Sequence, residues 1–182
     1  MAAATHVALI RGINVGGRNP VPMARLRESL AERGYADTRT YIQSGNVLVS
    51  APGRSAAEVT SIVEACLAED FDVATVVVSV AAGTLRTAVE HAPAGFGARP
   101  EEFHSDVAFL RPGVDSADAL AAFGIREGVD TAWAGDGVVY FQRLSAQRTR
   151  SRMSTVTASP VYRDMTIRNW RTTTTLVGML DA

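Results

Sequence analysis

The sequence predicts an α+β protein made of two antiparallel sheets with helices on one face of each, and three observations lead there. Strand-like and helix-like segments follow one another in the order β-α-β-β-α-β over residues 5–80. A looser version of that order returns between residues 105 and 180, after a Gly/Pro-rich stretch at Pro93–Pro100. The composition, 47 % apolar over 182 residues, is that of a globular chain able to bury a sizeable core.

Thr5–Arg11 alternates and is β-branched enough for a strand. Pro22, with its fixed φ, suits the first residue of a helix. Met23, Leu26, Leu30 and Arg33 then recur at helical spacing, and Gly34 follows where a helix would end. Thr38–Ile42 and Val47–Ser50 read as strands joined by the tight turn Gln43-Ser44-Gly45-Asn46. Ala56–Glu69 places Val59, Ile62, Val63, Cys66 and Leu67 on one helical face, and Val73–Val80 is a nearly unbroken β-branched run, as in a buried strand. This is the ferredoxin-like, split-βαβ plan.

In the second half, Leu85–Val89 sits in a connecting helix. Strands are expected at Val107–Arg111, Val129–Ala134 and Val138–Arg143, with a helix near Ala117–Phe123 and a hairpin at Gly135-Asp136-Gly137. Arg148–Thr157 and Thr166–Leu180 look helical, with Thr166 as the N-cap of the second. The expected division is a ferredoxin-like subdomain over residues 1–91 and a second plait over 92–182 that carries the C-terminal helices.

Composition narrows the function classes. The net charge of −1 points to neither nucleic acid nor membrane, and no apolar run approaches the ~18 residues of a membrane span. The first residues lack the basic and apolar regions of a signal peptide, and the single Cys66 excludes an internal disulfide. A reducing cytoplasm is the expected location. Charge is unevenly spread: residues 101–136 hold eight acidic side chains against two arginines, and residues 143–171 hold seven arginines against Asp164. Lysine is absent, so every side-chain cation other than histidine is a planar guanidinium suited to bidentate phosphate or carboxylate contacts.

The most informative segment is Arg11–Pro22, which follows a strand and opens a helix. Its glycines at 12, 16 and 17 let the backbone turn with positive φ and let a ligand approach bare N–H groups. A helix start adds unpaired amides and a positive dipole end, which suit an anion. The segment is neither a Walker A loop nor a dinucleotide fingerprint. In the split-βαβ topology the loop after the first strand and the Gln43–Asn46 turn leave the sheet at the same edge. Arg11, Gly12, Asn14, Gly16, Gly17 and Arg18 therefore join Gln43, Ser44 and Asn46 as candidate ligand-binding residues. Arg168, Asn169 and Trp170 are added as groups that reach a bound anion from the first turn of the last helix. His6, His91 and His104 lack metal spacing, and no metal site or cofactor is expected.

Three segments resemble one family. Arg11-Gly12-Ile13-Asn14-Val15-Gly16-Gly17, Tyr41-Ile42-Gln43-Ser44-Gly45-Asn46-Val47 and Thr166-Ile167-Arg168-Asn169-Trp170 are similar to signatures of the domain of unknown function 1697 family. That resemblance implies a small bacterial protein of two ferredoxin-like parts and implies no particular activity. Arg18 stands where the family often has lysine, Arg152 and Thr155 where it tends to carry two, and Arg171 where asparagine is frequent. Guanidinium groups at these places favour a charge role over Schiff-base chemistry.

The first-ranked function is binding of a small phosphorylated or nucleotide-type ligand at the glycine loop. No general base accompanies these residues, so no catalytic residue is assigned. The alternatives are a nucleic-acid-binding plait, using Phe109, Tyr140 and Phe141 beside Arg148–Arg152, and a partner-binding module without a ligand.

Overall fold

Strand β1 (His6–Ile10) lies between β3 (Asn46–Val49) and β4 (Val77–Ala81), and β2 (Arg39–Tyr41) pairs with the outer side of β3. All pairings are antiparallel, with Ala8 opposite both Val47 and Ser79. The computed structural model describes residues 3–181, so the outermost positions of the two expected subdomains, 1, 2 and 182, lie outside the described residues. Helices α1 (Met23–Glu32) and α2 (Ala56–Phe71) connect β1 to β2 and β3 to β4, which completes a β-α-β-β-α-β unit of strand order β2-β3-β1-β4.

Local chemistry sets these elements. A capping box starts α2: Ser55 Oγ accepts from the Glu58 amide at 3.2 Å, and Glu58 Oε2 accepts from the Ser55 amide at 2.8 Å. The inward face of the sheet (Ala8, Ile10, Val47, Val49, Val77) packs on Leu26 and Leu30 of α1 and on Val59, Val63, Cys66 and Leu67 of α2. Each fully buried leucine contributes roughly 1.5–3 kcal/mol. Cys66 is a packed thiol, and burial pushes its pKa up.

A helix α3 (Ala82–Glu90) leads to the second sheet: β5 (Phe103–Leu110), α4 (Ser116–Ala121), β6 (Asp130–Gly135), β7 (Val138–Leu144) and β8 (Met165–Asn169), followed by α5 (Trp170–Gly178). Its strand order, β6-β7-β5-β8, repeats that of the first sheet. Ala108, Leu110, Val139, Phe141 and Met165 form its inward face, against Ala119, Phe123 and Val156. Residues up to Leu85 and from Leu176 onward form one compact unit, and Arg86–Thr175 form the other.

Three expectations are corrected. Thr166–Asn169 is a strand, not the start of a helix: Ile167 pairs with Ala108 and Met165 with Leu110, and this tertiary pairing overrides local helix periodicity. Thr166 therefore caps nothing, and Asn169 takes that role, its Oδ1 accepting from the Thr172 amide at 2.7 Å. Arg148–Thr157 forms short 3-10 turns, Ser145–Arg150 and Met153–Ala158, in place of an α-helix. Its hydroxyls bond nearby backbone, Thr155 to the Arg152 carbonyl at 2.8 Å and Thr157 to the Ser154 carbonyl at 2.6 Å, and so compete with helix hydrogen bonding. Finally, β4 begins at Val77 and not at Val73, because its partner strand β1 ends at Ile10, opposite Val77.

Candidate functional site

Backbone bonds hold the loop that leaves β1. The Arg11 amide donates to the Val76 carbonyl at 2.9 Å, and Thr75 Oγ1 donates to the Arg11 carbonyl. Beyond it, residues 14–19 form a miniature hairpin. Val15 bridges Arg18, and Gly16 and Gly17 at the tip have φ of +57° and +74°. Two successive positive φ values make the type I′ turn that tight hairpins prefer, which accounts for the paired glycines. The Asn14 amide donates to the Asn19 carbonyl at 3.1 Å, and Asn19 Nδ2 donates to the Gly12 carbonyl at 3.2 Å. The paired glycines therefore shape a small hairpin and do not open the helix, which starts four residues beyond Asn19. Arg18 and the two tip glycines are exposed.

Asn14 ties this loop to the β2–β3 turn. Its Nδ2 donates to the Val21 carbonyl at 2.8 Å and to the Gln43 carbonyl at 2.9 Å, while its Oδ1 accepts from the Val21 amide at 2.8 Å. From the other side, the Ile10 amide donates to the Gly45 carbonyl at 2.8 Å. Asn46 is buried, and its Nδ2 donates to the Tyr41 carbonyl at 3.1 Å and to Ser44 Oγ at 3.2 Å. The two loops thus lie side by side at one sheet edge, with the side-chain amides of Asn14 and Asn46 engaged in holding them there.

The concave surface at this edge lies at the start of α1. A cavity of about 370 Å³ is lined by Pro22, Met23, Ala24, Arg27, Thr40 and Gln43, together with Ile42. Pro22 occupies the N-cap position, and no side chain caps the helix. Arg27 was not legible as a site residue because it sits within an ordinary amphipathic helix. Only the hairpin brings Thr40 to it: its guanidinium donates to Thr40 Oγ1 at 2.7 Å and pairs with no carboxylate among the described residues. Of the residues expected at the site, Gln43 lines this cavity.

Arg168, Asn169 and Trp170 belong to the second unit. Arg168 and Asn169 sit on β8, which corrects their expected place in a first helical turn. The Arg168 guanidinium is buried, donates to Thr166 Oγ1 at 3.0 Å and to the Ile167 carbonyl at 2.9 Å, and burial pushes its pKa down to about 10. The Trp170 ring meets Phe96 edge-on at 5.1 Å. Asn169 and Trp170 line a second cavity, of about 500 Å³, with Phe103, His104, Ser105 and Arg171 among its other walls. The aromatic side chains that a base-stacking platform would need are spent on packing. Tyr140 is 2 % exposed, donates its hydroxyl to the Ala88 carbonyl at 2.7 Å and meets Phe96 edge-on, while Phe141 stacks at a tilt on Phe123. Among the described residues no group of three or more His, Cys, Asp or Glu side chains could hold a metal ion, and no helix is long and apolar enough to cross a membrane.

A family profile described as "Protein of unknown function (DUF1697)" matches residues 3–140, about three quarters of the chain. The chain belongs to the DUF1697 family. The matched span contains the hairpin loop and the β2–β3 turn and stops short of Thr166–Trp170. A solved structure, that of the conserved bacterial protein SP0830 from Streptococcus pneumoniae, has a similar fold over 99 % of this chain and 100 % of its own, with a TM-score of 0.82 and 24 % identity. Comparison with the curated proteins finds no match. The fold of this chain is thus two ferredoxin-like units.

Proposed function

We propose that this DUF1697 protein binds a small anionic ligand, phosphorylated or nucleotide-type, at the edge of its first unit. There the Gly12–Asn19 loop, the Gln43–Asn46 turn and the start of α1 meet. The single observation that supports this most is the cavity of about 370 Å³ at an α1 N-terminus that no side chain caps, walled by Arg27 and Gln43. Amides of a helix's first turn lack intrahelical partners and sit at its positive dipole end, so an anion there gains both hydrogen bonds and field. Arg27 adds a permanent positive charge with five N–H donors. Arg11 and Arg18 flank the loop and belong to the same proposal. The groups gathered here bind and orient, and the proposal names no reaction.

Calorimetry with a panel of phosphate-bearing metabolites and nucleotides tests this on the native protein and on Arg11→Ala, Arg18→Ala and Arg27→Ala. A charge-assisted contact is worth about 1.5–3 kcal/mol, so loss of Arg27 should weaken binding by about tenfold or more. No saturable binding by any member of the panel, or equal affinity in all three variants, would overturn the proposal.

A further inference from the structure

A third cavity, of about 370 Å³, lies in the second unit where the 3-10 crossover passes the end of β7, and nothing above assigns it a role. We propose that it binds a small phosphomonoester, with the phosphate held between Arg143 and Arg148 and the carbon skeleton lying against Val156 and Ile167.

The sheet register places Arg143 there. Val139, Phe141 and Arg143 alternate along β7, and the first two point into the core under α4, so Arg143 occupies the next inward position at the strand's end. Its side chain is 15 % exposed, its NH2 lies 3.3 Å from Asp106 Oδ2, and its Nε is buried without a hydrogen-bond partner. Ile167 lines the cavity from the same face of β8, and Val156, fully buried, comes from the crossover. Arg148 is exposed, and its guanidinium makes no ion pair or hydrogen bond among the described residues.

The chemistry of the walls selects the ligand. The cavity wall itself carries two guanidinium groups and no carboxylate, while Asp106 lies beside Arg143 and Asp130 stands opposite it in the sheet register. Thr149, Ser151 and Ser154 bring three hydroxyls to the same wall, while that of Thr157 donates to the Ser154 carbonyl. Forked cations beside several hydroxyl donors match the three terminal oxygens of a phosphate monoester. A purely inorganic anion would leave the strip of Met153, Val156 and Ile167 uncovered. The volume is at the low end for small-molecule sites, which favours a compact ester over a dinucleotide. The local charge agrees, since residues 143–171 carry seven arginines against a single aspartate.

The test is a titration of the full-length protein, labelled with nitrogen-15, with inorganic phosphate and with phenyl phosphate, followed amide by amide in NMR spectra. Both probes should shift amides within 148–157 saturably, with phenyl phosphate binding more tightly. Arg148→Ala, which removes an exposed side chain without structural partners, should weaken both by about tenfold, the size of one charge-assisted contact. Arg143→Gln should abolish the shifts. If that variant fails to fold, Arg148→Ala decides alone. Undiminished affinity in Arg148→Ala, equal affinity for the two probes, or no saturable shift within 148–157 would each overturn the assignment. Shifts confined to residues 22–43 would overturn it too, while leaving the site at the start of α1 standing.

Discussion

Replacing Asn14 should loosen the first unit markedly, because its side chain joins the two loops at the sheet edge. Asn14→Ala removes four hydrogen bonds at once: three donated by Nδ2, to the Val21 and Gln43 carbonyls and weakly to Met23 Sδ, and one accepted by Oδ1 from the Val21 amide. The two bonds to Val21 are sheltered, because Val21 is fully buried, and each is worth about 1 kcal/mol net; the exposed bond to Gln43 is worth about half that. The backbone adds a separate cost. Asn14 has φ of +55°, where asparagine is tolerated and alanine pays about 1 kcal/mol more. The sum is about 3–3.5 kcal/mol, a large share of a domain's stability. Asn14→Gly separates the two causes, since glycine loses the same bonds and keeps the left-handed backbone at little cost. Urea unfolding of the three proteins is the assay, with amide exchange at Val21 as a local probe. The glycine variant should lie between native and alanine, and Val21 should exchange faster in both. An alanine variant within 0.5 kcal/mol of native, or a glycine variant no better than alanine, would refute the latch.

Two further outcomes are expected. Gly45→Ala should destabilise the protein by more than about 2 kcal/mol in urea unfolding. Its Cβ would stand 2.8 Å from Ile10 Cβ and 2.9 Å from the Ile10 carbonyl oxygen on a backbone at φ +81°, so both overlap and strain oppose it. Buried His6 has a pKa lowered from its ordinary value near 6.5, chiefly by desolvation, so the unfolded chain takes up its proton first. Its contribution is unaffected above pH 6.5 and turns against folding as the pH falls below that value; native protein should therefore lose more stability between pH 7.5 and 5.5 than His6→Gln does.

Much of the first unit was legible because its signals are local. The Met23–Leu26–Leu30 spacing gave α1, the Val59–Val63–Cys66 spacing gave α2, and the alternation of β1 carries its inward face. Topology alone then put the glycine loop beside the Gln43–Asn46 turn, where the Asn14 bond to Gln43 now joins them. The local role of the paired glycines was less legible. Gly16-Gly17 between Val15 and Arg18 is the signature of a two-residue hairpin, but next to a helix start it invited a phosphate-nest interpretation. The cue that separates the two is Pro22, which fixes the true helix start beyond the hairpin.

The second unit was harder to see, for a physical reason. β8 gains its hydrogen bonds from β5, some sixty residues earlier, with Asp106 opposite Asn169 and Leu110 opposite Met165. Nothing in Met165–Asn169 itself distinguishes a strand from the first turn of the helix that follows, and Thr166, like Asn169, is of a type that caps helices. The same non-local origin explains the cavity beside the crossover. Hydroxyls that bond their own backbone kept residues 148–157 from becoming an α-helix, and the segment lies as short turns along the sheet's end. A regular helix would bury one face and expose the other, sending its arginines to solvent. The irregular crossover instead brings Arg148 and the hydroxyls of Thr149, Ser151 and Ser154 to the wall that Arg143 shares. Thr157, one of the two residues whose hydroxyls bond their own backbone, lines the cavity, and the arginine-rich run over residues 143–171 is the mark it leaves in the sequence.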